Sequence, residues 1–348
     1  MKKDIIIIIF LSVIFSNVAL FSCPFDDCIN DGLTKATAYE IWTLAHLYEL
    51  GDSIASTVNF SGPWNWAWGK HFRLMQDVVE PVTKTLGVML TGFFYGGGHK
   101  IIVEIDTPFP PTSNMPYLFP ALNGGSLIDS LTVNGYISGS VAGIVGNNGG
   151  TISNCIINAT IININPNGGG TGGIANANSG IISNCVFNGS ITGVDRIGGI
   201  AGDIETGGQI FNCINNGKII ATASGGNGSF SGVGGIVGTK ANAGFCVISN
   251  NINNGIVEGQ DNVGGIVGLA VGNNLSQPPP VLTNINYGFI KGTNAVGGIL
   301  GNAFAGTINI FNNFNSGVVI GVSETGCIVG RNTGGTISNN HYDKQMCP

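Results

Sequence analysis

The sequence predicts an all-β chain folded as a right-handed parallel β-helix, with a small helical cap at its N-terminal end. Three observations support this fold class: a short block recurs seven times, each recurrence carries short β-type segments, and glycine and asparagine separate those segments. Glycine accounts for 57 of the 348 residues and charged residues for only 9%, whereas ordinary globular chains have about 7% glycine and about 25% charged residues. Because 43% of the residues are hydrophobic, a disordered chain is not expected.

The recurring block reads Val-Gly-Gly-Ile-Val-Gly at residues 233–238 and 263–268 and varies slightly in its other copies. Its isoleucine is present in all seven copies, at intervals of 26 to 36 residues. If each repeat is one turn, equivalent residues stack at the inter-strand spacing of ~4.8 Å, and the isoleucines form one inward ridge. The predicted isoleucine column is Ile144, Ile174, Ile200, Ile236, Ile266, Ile299 and Ile328.

A second segment in each repeat places an asparagine two residues after an apolar residue. Asparagine and glycine tolerate positive φ, so they suit tight corners between strands. Stacked amides can also bond one another from turn to turn. We therefore expect an asparagine ladder along the rod, formed by Asn154, Asn184, Asn212, Asn250 and Asn284. Cys155, Cys185 and Cys213 each follow one of these asparagines, and we interpret them as small packing residues, with an inter-turn disulfide as the less favoured alternative.

The first 22 residues have the pattern of a signal peptide: a basic start followed by an apolar run from Ile5 to Leu20. This run is shorter than the ~20 residues that span a membrane. Leu20-Phe21-Ser22-Cys23 is similar to a bacterial lipoprotein signal, which makes Cys23 a candidate lipidation site; ordinary cleavage is the alternative. We therefore expect an exported protein, at the cell surface or extracellular, that contacts a membrane only through a lipid anchor.

Residues 31–135 are predicted to form the N-terminal cap and the first turns, and residues 136–348 about seven repeat turns. Leu44, Leu47 and Leu50 would form the apolar side of a short helix that covers the open strand edges. Trp64, Trp66 and Trp68 alternate as in a strand, which places three rings on one face. We interpret them either as packing within the cap or as an aromatic platform for a ligand.

The repeats resemble the GLUG-type motif of bacterial surface and secreted β-helix proteins. The resemblance rests on the Gly-Gly-Ile-Val-Gly block, on Thr-Ile-Ser-Asn-Cys at residues 151–155 and on Asn-Gly-Ser-Ile-Thr-Gly at residues 188–193. Upstream, residues 39–47, 72–77 and 94–101 resemble the opening strands and turn of the same proteins. The resemblance implies a parallel β-helix that serves as a stalk, an adhesin-like surface or a module attached to a protease.

We predict a non-enzymatic, adhesin-like function: binding of a host, matrix or glycan ligand, with no cofactor, metal or catalytic residue. A net charge of −6 argues against nucleic acid as a partner. The segments Ala221–Gly232 and Gly272–Pro280 are the longer insertions, where ligand contacts are first expected. One alternative is a carbohydrate-active β-helix enzyme that uses Asp203 and Glu205 as its carboxylate pair, and another is a passive structural stalk.

Overall fold

The computed structural model describes residues 30–55, 67–107, 116–139, 143–165, 169–222, 231–240, 245–272 and 280–347. These residues form one α-helix, one 3-10 helix and 40 short strands, so the predicted fold class is confirmed: nearly all β, with one short helix near the N-terminus. The predicted signal peptide with Cys23, the residues Trp64 and Trp66, and most of both insertions lie outside the described residues.

The first elements, which precede or open the repeats, are β1 (Tyr39–Ile41), α1 (Leu44–Ala55), β2 (His71–Leu74), β3 (Val78–Val82), β4 (Phe93–Tyr95), β5 (Lys100–Asp106), β6 (Tyr117–Leu122), β7 (Leu127–Asp129), β8 (Thr132–Gly139), β9 (Gly143–Asn148), β10 (Thr151–Ser153) and β11 (Ile156–Asn163). The next three turns contain β12 (Thr171–Gly172), β13 (Ala175–Asn178), β14 (Ile181–Ser183), β15 (Val186–Phe187), β16 (Ser190–Gly193), β17 (Ile197–Gly198), β18 (Ala201–Ile204), β19 (Gln209–Phe211), β20 (Ile214–Asn215), β21 (Lys218–Ala221), β22 (Val233–Gly234), β23 (Val237–Lys240), β24 (Val247–Ser249), β25 (Ile252–Asn253) and β26 (Ile256–Glu258). The remaining elements are β27 (Asp261–Gly264), β28 (Val267–Val271), β29 (Pro280–Leu282), β30 (Ile285–Asn286), β31 (Phe289–Lys291), β32 (Asn294–Gly297), β33 (Leu300–Phe304), β34 (Ile308–Phe311), β35 (Phe314–Asn315), β36 (Val319–Ile320), β37 (Ser323–Gly326), β38 (Val329–Asn332), β39 (Gly335–Ser338), β40 (His341–Tyr342) and a 3-10 helix (Lys344–Met346).

Each of the six turns between β10 and β38 contributes strands to four sheets. The strands pair in parallel with the equivalent strands of the turns before and after. Sheet 1 stacks 11 strands in the order β1-β2-β4-β7-β10-β14-β19-β24-β29-β34-β39. Sheet 2 has 15 strands centred on β11, sheet 3 has six in the order β12-β17-β22-β27-β32-β37, and sheet 4 has eight from β6 to β38. Eleven strands at ~4.8 Å spacing give a rod about 48 Å long.

The isoleucine column lies in the interior. Ile174, Ile200, Ile236, Ile266 and Ile299 are fully buried, Ile144 is 1% exposed and Ile328 is 9% exposed. The column is also bonded through its backbone: the amide of Ile236 donates to the carbonyl of Ile266, 3.0 Å away, and the amide of Ile266 to that of Ile299, also 3.0 Å away. Residues about thirty apart therefore stack directly on one another, which is why a variable repeat length leaves the core intact.

The glycines of the repeated block make this close stacking possible. A Cβ on Gly234 would lie 2.0 Å from the carbonyl oxygen of Val237, and one on Gly235 would lie 2.2 Å from a backbone oxygen of the next turn. Cys327 takes the place of this second glycine in the last turn and forms a disulfide with Cys347. A side chain fits there because no described turn stacks above it.

The two ends of the rod differ. At the N-terminal end, helix α1 covers the core with Leu47, Leu50 and Ile54, all nearly fully buried. At the C-terminal end the 3-10 helix and Cys347 cover only part of the last turn, so Ile337 is 43% exposed although its partner Ile310 is fully buried.

The predicted asparagine ladder is wrong in its position. Asn154, Asn184, Asn212 and Asn250 are exposed corner residues with φ between 54° and 56°, and the corner rather than amide pairing explains them. Asn284 is not in this column at all, because Val281 pairs with Ile248 and Thr283 therefore takes the corner with φ 53°.

Amide ladders exist at other positions. In the described repeats, one buried ladder continues the column of Cys155, Cys185 and Cys213, which are free and buried. A second buried ladder lies two residues further along, with Nδ2-to-Oδ1 distances of 2.7, 2.8 and 2.7 Å. The first ladder contains Asn251, Asn284, Asn313 and Asn340, and the second contains Asn215, Asn253, Asn286 and Asn315.

Candidate functional site

The N-terminal end carries the described tryptophans. Trp68 lies in a turn after Ala67 rather than in a strand, and 51% of it is exposed. Trp42 is 41% exposed, and its indole Nε1 donates to Glu40 Oε2 at 3.1 Å. Ala67 is buried, so the side of this segment that carries Trp68 faces solvent. The structure thus places Trp68 where a ligand could reach it.

A stacked aromatic cluster lies on the outer face of sheet 1 in the same region. The His71 ring stacks on Phe93 with centroids 4.4 Å apart and on Tyr95 at 5.7 Å, and His71 Nδ1 lies 2.9 Å from the Tyr95 hydroxyl. Lys35 Nζ lies 4.5 Å from the centroid of the Tyr95 ring. Burial and the nearby charge of Lys35 lower the pKa of His71. Asp129, on the neighbouring strand, accepts hydrogen bonds from Ser153 Oγ and Asn154 Nδ2 at 2.7 Å each, and is not a free acid.

The outer face of sheet 2 carries polar and apolar columns side by side. One column is an exposed asparagine ladder from Asn134 to Asn254, with Nδ2-to-Oδ1 distances of 2.7 to 2.9 Å, and Tyr287 follows it in the next turn. A second column is apolar from Ile156, which is 40% exposed, to Phe314. Tyr287 is 52% exposed, Ile256 39% and Phe314 36%, and the rings of Tyr287 and Phe314 lie edge to face at 6.5 Å. We call Ile256, Ile285, Tyr287, Phe289 and Phe314 the apolar patch.

Asp203 and Glu205 do not form the carboxylate pair considered from the sequence. Asp203 is 9% exposed, whereas Glu205 is exposed to solvent. The direct partner of Asp203 is Arg196, whose Nη1 lies 3.0 Å from Asp203 Oδ2 and whose Nε lies 3.8 Å from Asp195 Oδ2. Asp195 is 7% exposed. The site is therefore a buried pair of aspartates bridged by one arginine.

Burial dominates the electrostatics of this pair. It raises the pKa of Asp203 to about 7, against an ordinary 3.8; the charge of Arg196 lowers it in part, and the charges of Asp195 and Glu205 raise it further. Burial also raises the pKa of Asp195, although Ser231 and Arg196 oppose this. A carboxyl group with a pKa near 7 is suited to proton transfer, a feature that an enzyme would share.

Sequence reasoning singled out Asp203 but paired it with Glu205, because Asp195, Arg196 and Asp203 resemble an ordinary solvated loop. Two signals could have identified it. The same two positions of the repeat hold an ion pair of reversed polarity in the last turn, Glu324 with Arg331. The turn before Asp203 has Asn176 where the other copies of the block end in glycine.

A buried lysine lies inside the next turn. Lys240 is 1% exposed, and its Nζ donates to the carbonyl oxygen of Val271 at 3.0 Å. Burial lowers the pKa of Lys240, and the nearby Cys246 opposes this in part. Burial raises the pKa of the Cys246 thiol to about 11, so this thiol is not a reactive nucleophile at neutral pH.

Within the described ranges, no group of three or more histidine, cysteine, aspartate or glutamate side chains is arranged to hold a metal ion. The described helices include none with the length and hydrophobicity of a membrane span.

Neither a protein-family model nor a curated protein sequence matches the chain. A solved structure that is similar is that of a "putative immunoglobulin A1 protease" from Bacteroides ovatus. The two chains superpose with a TM-score of 0.55 and 19% sequence identity, over 92% of this chain and 87% of that one. At this identity the similarity shows the fold alone, a parallel β-solenoid of the kind described above.

Proposed function

We propose that the chain is an exported, adhesin-like β-helix protein that binds a protein or glycan ligand at the cell surface or outside the cell. The observation that carries the proposal is the apolar patch on the outer face of sheet 2. A stalk needs only a solvated exterior, and the asparagine ladder gives one column of sheet 2 this character as far as Asn254. Contiguous exposed apolar groups on a rigid scaffold are typical of interaction surfaces.

Aromatic side chains strengthen this interpretation. Tyr287 and Phe314 are large and have few rotatable bonds, so they gain contact area at low entropic cost when a ligand covers them. The resemblance to GLUG-type repeats, which imply surface or secreted proteins, supports the same function. Trp68 provides a second exposed ring at the other end of the rod.

The test is binding of the purified chain to a glycan array and to immobilised extracellular-matrix proteins. We expect the double variant Tyr287→Ser/Phe314→Ser to lose about tenfold or more in affinity. Tyr136→Ser is the matched control, because Tyr136 lies on the same face of sheet 2 and is 36% exposed, but lies at the N-terminal end. Equal binding by the double variant and the wild type, or no binding by the wild type, would contradict the proposal.

A carbohydrate-active enzyme is the second candidate, supported by the raised pKa of Asp203. Turnover of polysaccharides by the wild type, abolished in Asp203→Asn and retained in Glu205→Gln, would favour it over the adhesin-like function.

A further inference from the structure

A groove lies on the outer face of sheet 4 in its first two turns, where that face is open to solvent. One column of the sheet lies outside the core, and its members from Asp203 to Asn302 are at most 9% exposed. The chain that leads into sheet 3 covers them; Arg196, for example, lies 3.0 Å from Asp203. Among the described residues sheet 3 begins only at β12, after β6 and β9 of sheet 4. The members of the column in these two strands, Ala121 and Asn147, are half-buried and exposed, respectively.

The groove has a volume of about 440 Å³, within the range of sites that hold small ligands. Its lining comes from four successive turns, so it follows the axis of the rod for three steps of ~4.8 Å, or about 14 Å. Val88 and Met89 line one side, on a segment that backbone hydrogen bonds attach to β6 at both ends. Pro120 lines it from the sheet itself. A ligand can enter from solvent, because Asn147 and the corner residue Ser179 are exposed.

Two amide side chains in this groove are available to a ligand. The side chains of Asn123 and Asn147 make no hydrogen bond to any described residue. Packing does not require an amide at residue 147, since Ala121 and Ala177 occupy the same column in the turns before and after it. The hydroxyl of Ser179 donates to a backbone carbonyl at 3.2 Å and can still accept a hydrogen bond from a ligand.

The chemistry of the lining indicates a neutral ligand with many hydroxyl groups. None of the ten described residues that line the groove is ionisable, so a charged ligand would have no counter-charge there. A wholly apolar ligand would cover both amides without pairing them, which costs about 1–3 kcal/mol for each unpaired group. A sugar meets both conditions, because its C–H groups pack against Val88, Met89 and Pro120 while its hydroxyls donate to and accept from the amides.

We propose that the groove binds a short neutral oligosaccharide that lies along the axis of the rod. The groove is separate from the apolar patch of sheet 2, so this inference goes beyond the proposed function and does not rest on it.

The experiment is isothermal titration of the full chain with cellotetraose, xylotetraose and mannotetraose. Tetragalacturonate serves as the acidic comparison, and an uncharged apolar tripeptide amide as the peptide comparison. Asn147→Ala removes one amide at a position where the neighbouring turns already have alanine. Gly124→Leu adds a side chain to the lining, and its Cβ would lie 3.8 Å from the nearest backbone oxygen, an ordinary contact. The matched control is Asn254→Ala, which removes an exposed amide from the ladder of sheet 2.

We expect at least one neutral tetrasaccharide to bind with a Kd below about 1 mM. Asn147→Ala and Gly124→Leu should each weaken this binding about fivefold or more, whereas Asn254→Ala should leave it unchanged. The proposal is overturned if no neutral tetrasaccharide binds, if tetragalacturonate or the tripeptide binds more tightly than all three, or if either groove variant binds the sugar as the wild type does.

The double variant Tyr287→Ser/Phe314→Ser separates this site from the apolar patch. We expect it to bind the tetrasaccharide as the wild type does. Sugar binding that the double variant abolishes and Asn147→Ala retains would belong to the apolar patch, which would overturn the groove proposal and support the proposed function. A failure of the apolar patch to bind any ligand would leave the groove measurements unaffected.

Discussion

Replacing Asp203 with asparagine tests whether the protein carries an unfavourable buried charge at neutral pH. The side chain is 9% exposed, and burial raises its pKa to about 7 in spite of Arg196. Asparagine has nearly the same shape and cannot ionise. The substitution therefore removes the charge and leaves the packing beside Gly170 almost unchanged.

The sign and size follow from the two pKa values of Asp203. The native state holds this proton up to about pH 7, whereas the unfolded chain releases it near the ordinary value of 3.8. Wild-type stability should therefore fall as pH rises between about 4 and 7, by up to about 4 kcal/mol at 1.36 kcal/mol per tenfold change in proton concentration. This figure already includes the attraction of Arg196, which opposes the rise in pKa. We expect Asp203→Asn to be more stable than the wild type by about 4 kcal/mol at pH 8 and nearly equal to it at pH 4.

The assay is urea unfolding followed by circular dichroism at pH 4, 6 and 8. Glu205→Gln is the control, because it removes an exposed carboxylate from the same segment and should change stability by less than about 0.5 kcal/mol at each pH. A constant difference between Asp203→Asn and the wild type across this range, or a less stable variant at pH 8, would refute the reasoning.

Four other predictions test the fold and the export of the chain. Ile266→Asp should destabilise the rod by several kcal/mol, since it buries an unpaired charge; a thermal melt that matches the wild type would contradict its inward position. Asn253→Ala should cost about 2 kcal/mol or more because it leaves buried amides of the ladder without partners, whereas Asn254→Ala in the exposed ladder should cost less than about 1 kcal/mol in the same urea titration. Lys240→Met should raise the urea midpoint, and its advantage should shrink as pH rises toward the ordinary lysine pKa of 10.5, because the native lysine loses its proton first; an advantage independent of pH would argue against a buried charge. The mass of the mature N-terminus should show cleavage before Cys23, with an added lipid mass in the lipoprotein alternative; an intact leader on exported protein would contradict both.

The inward columns could be predicted from the sequence because burial acts on every turn in the same way. Ile236 and Ile266 face the same environment, so the same residue recurs and the period is visible without a structure. The helical cap was predictable for a similar reason, since Leu47 and Leu50 must cover strand edges that would otherwise be open.

The sequence predicted an amide ladder at the wrong position because asparagine has two uses in this fold. At a corner it tolerates positive φ, as Asn250 does, and one residue later it stacks inside, as Asn251 does. Sequence alone does not separate the two uses. In the turn after Pro280, Thr283 rather than asparagine occupies the corner, so the apolar-x-Asn pattern matched Leu282 and Asn284 and put Asn284 in the wrong column.

The burial of the aspartate site could not be predicted from the sequence for a different reason. Asp195, Arg196 and Asp203 are charged and border glycine-rich corners, which normally indicates a solvated loop. The left-handed corner of Arg196, with φ 47°, does not explain the burial of Asp195 and Asp203, because the same corner recurs at Glu324, which is exposed. The turns stacked against the two aspartates bury them. That is a property of three-dimensional packing between turns rather than of local composition.

Because the contacts that hold one turn reach mainly to the turns directly before and after it, the length of the rod is a separable property of the chain. Excising residues 251–283 would set Asn284 against Cys213 and Asn286 against Asn215, the positions that Asn251 and Asn253 now occupy. The shortened protein would be about 4.8 Å shorter and would keep its register on either side of the cut. Gain or loss of whole repeats could thus adjust how far such a protein extends without redesign of its interior.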